Sequence, residues 1–173
     1  MAKHADIAKA TKSKFGDAVL EVNLDGKFPH VVVEAARIVE VCEFLRDDDA
    51  LAFDFLSSIA GVDKGNQLEV VYTIHSYLKR HNFGVKARVP RSEPNLPSVT
   101  SVWSAADWHE RETYDLMGIN FEGHSDLRRI LLPPDWEGYP LRKDYKYPES
   151  YDGITLRRDD EDWPDPGDKE LYE

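Results

Sequence analysis

"LEVVYTIHSYLKRHNFGVKARVP", residues 68–90, alternates apolar and polar positions twice over. Leu68, Val70, Tyr72 and Ile74 fall on one side of an extended chain, and Phe83, Val85, Ala87 and Val89 do so after the turn-like "LKRH". Successive side chains of a strand point to opposite faces, so each half reads as a strand with one apolar and one polar face. Strands of that kind belong to an antiparallel sheet that is covered on one side only. The stretch therefore predicts an α+β, two-layer fold, with an antiparallel sheet and helices packed on one face.

Working outward, residues 4–14 predict a short polar helix, and "AVLEVNL" (18–24) and "HVVVEA" (30–35) predict strands. From Glu34 to Arg46 the apolar positions 35, 38, 41/42 and 45 follow helical spacing. "LAFDFLSSIAGVD" (51–63) reads as a further strand. "PRSEPNLP" (90–97) reads as a loop, because its three prolines cannot continue a strand interior. "AADWHERETYDLM" (105–117) predicts a helix, with Ser104 as N-cap, Asp107 at N3 and Gly118 as the stop. Regular periodicity fades beyond Glu122. The expected organisation is an α+β domain over 1–122, then an extended partner-binding segment and acidic tail over 123–173.

Composition narrows the function classes. The chain has 173 residues, 41% of them hydrophobic, as expected of one domain with a real core. No apolar run reaches the ~18–20 residues that span a bilayer. The start, "MAKHADIAKATKSKF", lacks the apolar core of a secretion signal, so a cytoplasmic protein is expected. Net charge is -11, and residues 149–173 hold ten acidic against three basic side chains. Such a chain repels nucleic-acid phosphates, and no nucleic-acid partner is expected. That tail has little apolar surface to bury and is expected to be extended or disordered. Cys42 is the one cysteine, so this chain alone cannot hold a Cys-ligated iron–sulfur cluster. It shares an apolar helix face with Ala35, Ile38 and Leu45, which predicts a buried, inert thiol.

The densest stretch is "ERETYDLMGINFEGHSDLRRILLPPDWEGYPLRKDY", residues 110–145. His109-Glu110 begins like a zinc-protease helix, but Thr113 stands where the second histidine ligand is needed. The other histidines are scattered, and no metal site is expected. Glu110 and Glu112 are two residues apart and project about 200° from each other on a helix, so they cannot share a substrate. No nucleophile elbow, phosphate loop or dinucleotide fingerprint is present. The helical wheel places Glu112 between Trp108 and Leu116 near the middle of an apolar stripe, with Asp115 at its edge. A carboxylate facing a core or interface needs a partner. Arg128, Arg129, Arg142 and Lys143 are the cations available. A charge-locked unit that fixes the downstream loop is the expected result, with Glu112 as its buried member.

The same stretch resembles the signature of the 30 kDa subunit family, the C subunits, of NADH:quinone oxidoreductase (respiratory complex I). Glu110-Arg111-Glu112, Asp115-Leu116-Met117, His124, Arg128 and Ile130-Leu131 fit that pattern at its spacing. "DWEGYPLRKDY" (135–145), which carries Arg142, Lys143 and Asp144, extends the match. Upstream, "FDFLSSIAGVD", "VVYTIHSY" and "RVPRSEPNLPSVTSVWSAADWHERE" also resemble the family, whereas "KYPESYDGI" and the acidic tail depart from it. The resemblance implies a peripheral-arm subunit on the cytoplasmic face of the membrane that carries no cofactor of its own. The iron–sulfur clusters, FMN and quinone site would lie on other subunits. Its implied partners are subunits D and B, and the signature residues, Arg129 included, would form the interface. Similar subunits occur in membrane-bound nickel–iron hydrogenases and F420- or ferredoxin-linked dehydrogenases. A free-standing adaptor is the alternative from another class.

Overall fold

The two alternating runs pair with each other as their pattern requires. The computed structural model describes residues 4–156. In it β4 (Gln67–Ser76) lies antiparallel to β5 (His81–Pro90), with Leu68 opposite Val89, Val70 opposite Ala87, Tyr72 opposite Val85 and Ile74 opposite Phe83. All eight side chains are buried. At ~25 cal/mol per Å² of apolar surface removed from water, this cross-strand sheet of aliphatic and aromatic groups is the main source of stability.

β3 (Phe55–Asp63) runs antiparallel to β4 on its other side. β2 (His30–Val33) pairs with β5, and β1 (Val19–Asn23) pairs antiparallel with β2, giving the order β1-β2-β5-β4-β3. The β2–β5 pair is parallel, which alternation alone does not foretell. Parallel neighbours need a long crossover, and here α2 (Ile38–Asp47), β3 and β4 all lie between them. The fold is thus α+β, with a five-stranded, mostly antiparallel sheet.

Three helices cover one face. α1 (His4–Phe15) contributes Ile7 and Phe15 to the core, and α2 contributes Ile38, Val41, Cys42 and Leu45. α3 (Ala106–Met117) lies on β3, where a Cβ on Gly61 would come within 2.8 Å of Met117 Cγ. Only a glycine lets this helix approach the strand so closely. Cys42 is fully buried, and burial raises its thiol pKa far above the ordinary range. The opposite face of the sheet is polar. There Glu69 is nearly inaccessible, because Arg88 (3.0 Å) and Lys86 (3.2 Å) close over it and Arg88 also pairs with Glu21.

Two local expectations are corrected. α3 starts at Ala106 with Ala105 as its cap and no side-chain capping bond, so the expected Ser104 capping box does not form. Inside the predicted loop, Asn95–Pro97 is a short strand, β6, parallel to β7 (Asn120–Glu122). A three-residue strand in a two-stranded ribbon is all edge, which is where prolines are tolerated.

The chain divides into two compact units, Met1–Lys143 and a second beginning at Asp144. The first unit therefore extends past the expected boundary at 122. Of the second, residues up to 156 are described. β8 (Ser150–Tyr151) and β9 (Ile154–Thr155) form a hairpin, where extended chain was expected, and Asp152-Gly153 at its tip both have positive φ. That is the backbone of a type I′ turn, for which Asp-Gly is well suited. The rest of the expected acidic tail, from 157 on, lies outside the described residues.

Candidate functional site

The last four carbonyls of a helix have no partner within it. In α3 all four are met. Gly118 N–H donates to Tyr114 O, Arg129 Nη1 to Asp115 O (2.9 Å), Leu141 N–H to Leu116 O (3.1 Å) and Arg142 Nε to Met117 O (2.8 Å). Gly118 turns the chain with φ 68°, as expected of this stop. Three of these four donors come from residues 129–142, so the segment without periodicity serves as the cap of the helix.

Asp115 holds that segment in place. It is fully buried, with Oδ1 accepting from Arg129 Nη1 (2.7 Å) and Oδ2 accepting from the backbone amides of Ile130 (3.0 Å), Leu131 (2.7 Å) and Leu132 (3.0 Å). Three successive amides aimed at one oxygen form an anion-binding nest, here filled by the protein's own carboxylate. Burial alone would raise the Asp115 pKa; the amides and Arg129 outweigh it and hold it below the usual range. Arg129 spends its other donors on Trp136 O (3.0 Å) and Gly138 O (3.1 Å). Arg142 stacks on Tyr139 at 4.7 Å.

The charge lock exists, but its members differ from the expected ones. Glu112 is exposed and has no hydrogen-bond or ion-pair partner among the described residues. Trp108, its expected core neighbour, is 63% exposed. The stripe on the wheel is real, but it faces outward. The inward face is polar, with Glu110 fully buried. Its carboxylate accepts from the Ser98 hydroxyl (2.6 Å) and the Val99 amide (2.7 Å).

The remaining signature residues separate clearly. Arg111 binds Asp107 and lies over the Trp108 ring at 4.4 Å. His124 Nδ1 accepts from the Asp126 amide (3.0 Å), which leaves Nε2 to donate to Asp107 O (3.2 Å). Arg128 forms an exposed pair with Asp126 (2.9 Å). The backbone N–H of Lys143 donates to Asp63 Oδ2 (2.9 Å). Asp63 is a member that sequence reasoning missed. It also accepts from Arg91 (2.5 Å) and Gly65 N–H (2.7 Å), and chiefly the Arg91 guanidinium holds its pKa far below the usual range. "Asp-Lys-Gly" is visible as turn chemistry, but its partners lie 28 and 80 positions away. Asp144 opens the second unit. Among the described residues no three His, Cys, Asp or Glu side chains cluster as a metal site would require.

Glu110 allows a test of this arrangement. Burial raises its pKa, and the bonds from Ser98 and Val99 offset that only in part. The fold therefore favours the neutral acid. Its contribution is complete below the unfolded value of about 4.3 and is lost as pH rises through the raised folded value. Glu110→Gln is neutral at every pH, so its melting temperature should gain on the wild type as pH rises through that window. A gap between the two proteins that narrows or stays constant from pH 4 to pH 8 would contradict the assignment.

Comparison with known proteins adds an independent line. The family model described as "Respiratory-chain NADH dehydrogenase, 30 Kd subunit" matches residues 31–151. The C subunit of the NADH-quinone oxidoreductase of Chloroherpeton thalassium is 45% identical over 156 residues, covering 88% of this chain and 65% of the relative. The protein of the same description from Chlorobium phaeobacteroides is 43% identical, covering 84% of this chain and 90% of the relative. The chain thus spans under two thirds of the Chloroherpeton protein and most of the Chlorobium one. Among solved structures, the trypsin-resistant fragment (1–134) of Nqo5 superposes with TM-score 0.59 at 32% identity, covering 73% of this chain and all of that one. A chain of the membrane-bound sulfane sulfur reductase, an archaeal respiratory membrane complex, superposes with TM-score 0.70 at 26% identity, covering 84% and 86%.

Proposed function

The chain belongs to the 30 kDa subunit family of respiratory-chain NADH dehydrogenase, and from that premise we propose that it is a non-catalytic peripheral-arm subunit of a proton-translocating NADH:quinone oxidoreductase. It scaffolds the quinone-reducing module by binding subunits D and B on the cytoplasmic face of the membrane. One observation carries this reading. The charges of the signature are used internally: Asp115, Arg129 and Arg142 fix the 129–142 loop onto α3. Buried charges so fully matched shape a rigid surface and have no capacity left for acid–base work. Among the described residues no helix is long and apolar enough to cross a membrane, which accords with attachment through partners.

Co-purification tests the reading. A tagged chain expressed in its own cells should bring down subunits D and B with NADH-oxidising activity. Recovery of the chain without any respiratory partner would overturn it. A second reading has support in the likeness to the archaeal sulfane sulfur reductase chain: the same fold can serve a membrane complex with a different electron donor. Recovery of a hydrogenase-type large subunit, without an NADH-oxidising module, would favour that reading.

Cofactors are assigned to the other subunits. The single thiol, Cys42, is buried and held protonated, so it cannot ligate iron without unfolding α2. The purified chain should be colourless above 350 nm and oxidise no NADH. Stoichiometric iron or flavin in the folded protein would refute the assignment.

A further inference from the structure

Glu112 is the one carboxylate of α3 without a partner among the described residues; Asp107, Glu110 and Asp115 are all matched. Its surroundings are not those of an ordinary solvated glutamate. It borders a cleft of about 120 Å³ whose other walls include Ile59, Leu116, Met117 and Leu141. Trp108 stands one helical turn before it and Leu116 one turn after, and Trp108 and Leu141 are 63% and 57% exposed. Leu141 is held at this spot by its backbone bond to Leu116 O.

Resting on the reading above, we infer that this outward face of α3 is a docking surface for another protein chain, which presents an arginine or lysine between apolar side chains and places that cation on Glu112. The charge in the cleft selects the partner. An apolar segment alone would bury Glu112 unpaired, at a cost of several kcal/mol. A second copy of this chain is disfavoured, because a two-fold interface brings the same patch together and sets carboxylate against carboxylate. The cations of this chain closest in sequence are already engaged: Arg111 with Asp107, Arg128 with Asp126, Arg129 with Asp115 and Arg142 with the end of α3. A fixed apolar frame around one unmatched charge has the anatomy of an interface anchor.

The test uses the assembled complex with variants of the full chain. A photo-crosslinking residue replaces Leu141, and in a control it replaces Thr73 on the opposite face of the sheet. Separately, Glu112→Arg and Glu112→Gln are compared. Crosslinks from position 141, and not from 73, should reach a partner peptide containing Arg or Lys flanked by apolar residues. Glu112→Arg should lower the amount of assembled complex at least tenfold, Glu112→Gln less, with the melting temperature of the isolated chain unchanged in both. Reversing the crosslinked cation to Glu should restore assembly with Glu112→Arg. The inference falls if position 141 crosslinks only to a second copy, or if Glu112→Arg assembles normally. A wild-type chain that joins no respiratory complex at all would instead defeat the reading on which the inference rests.

Discussion

Asp115→Ala is expected to destabilise the isolated protein by about 3–5 kcal/mol, the usual result of removing one member of a buried charge pair. For a chain of this size that lowers the melting temperature by roughly 6–20 °C. The cause is specific. Four donors converge on this carboxylate, and its loss strands the Arg129 guanidinium together with three amides that no water can easily reach. Asp115→Asn should fall between, since its oxygen can stay in the amide nest while its NH₂ group opposes Arg129. The pH dependence follows from the lowered pKa. The contribution of Asp115 is complete above the unfolded value of about 3.9 and is lost as pH falls through the lower folded one. The gap between wild type and Asp115→Ala should therefore close only in strong acid. A constant gap down to the acid transition would show that the carboxylate is not ionised in the fold. Turnover per assembled complex should stay near that of wild type, because the loss acts through structure.

Gly118→Val should have an effect of similar size through a different mechanism. At φ 68° any side chain is strained, which costs about 1–3 kcal/mol. A Cβ there would also lie 2.4 Å from the Tyr139 ring, and overpacking adds about 1–3 kcal/mol. Tyr139 cannot simply swing away, for Arg142 and Arg129 lie on it at 4.7 and 5.4 Å. Gly118→Ala keeps the clash with a smaller side chain and should be milder. Pairing it with Tyr139→Ala should recover the steric part and leave the backbone part. If the double variant is no more stable than Gly118→Ala, the tyrosine is not what forbids a side chain at 118.

Much of this architecture can be read directly from the amino-acid order. The strand pair at 68–90, the helical face of Cys42 and the stop at Gly118 all express local periodicity or one residue's backbone freedom, and each needs only a few neighbours to be recognised. The signature stretch is equally legible as a family resemblance. What it does was decided by the tertiary structure. The wheel of α3 shows an apolar stripe, and the rule that usually holds assigns it inward. Here the inward face instead carries Glu110 and Asp115, whose burial is possible because Ser98, Val99, Arg129 and three loop amides arrive from elsewhere in the chain. The parallel pairing of β2 with β5 and the closure of Asp63 by Arg91 and Lys143 are likewise contacts between distant positions. Periodicity reports the preference of a side chain for water or oil. Whether a buried charge meets its partner depends on the folded path between them, and that lies beyond any local pattern.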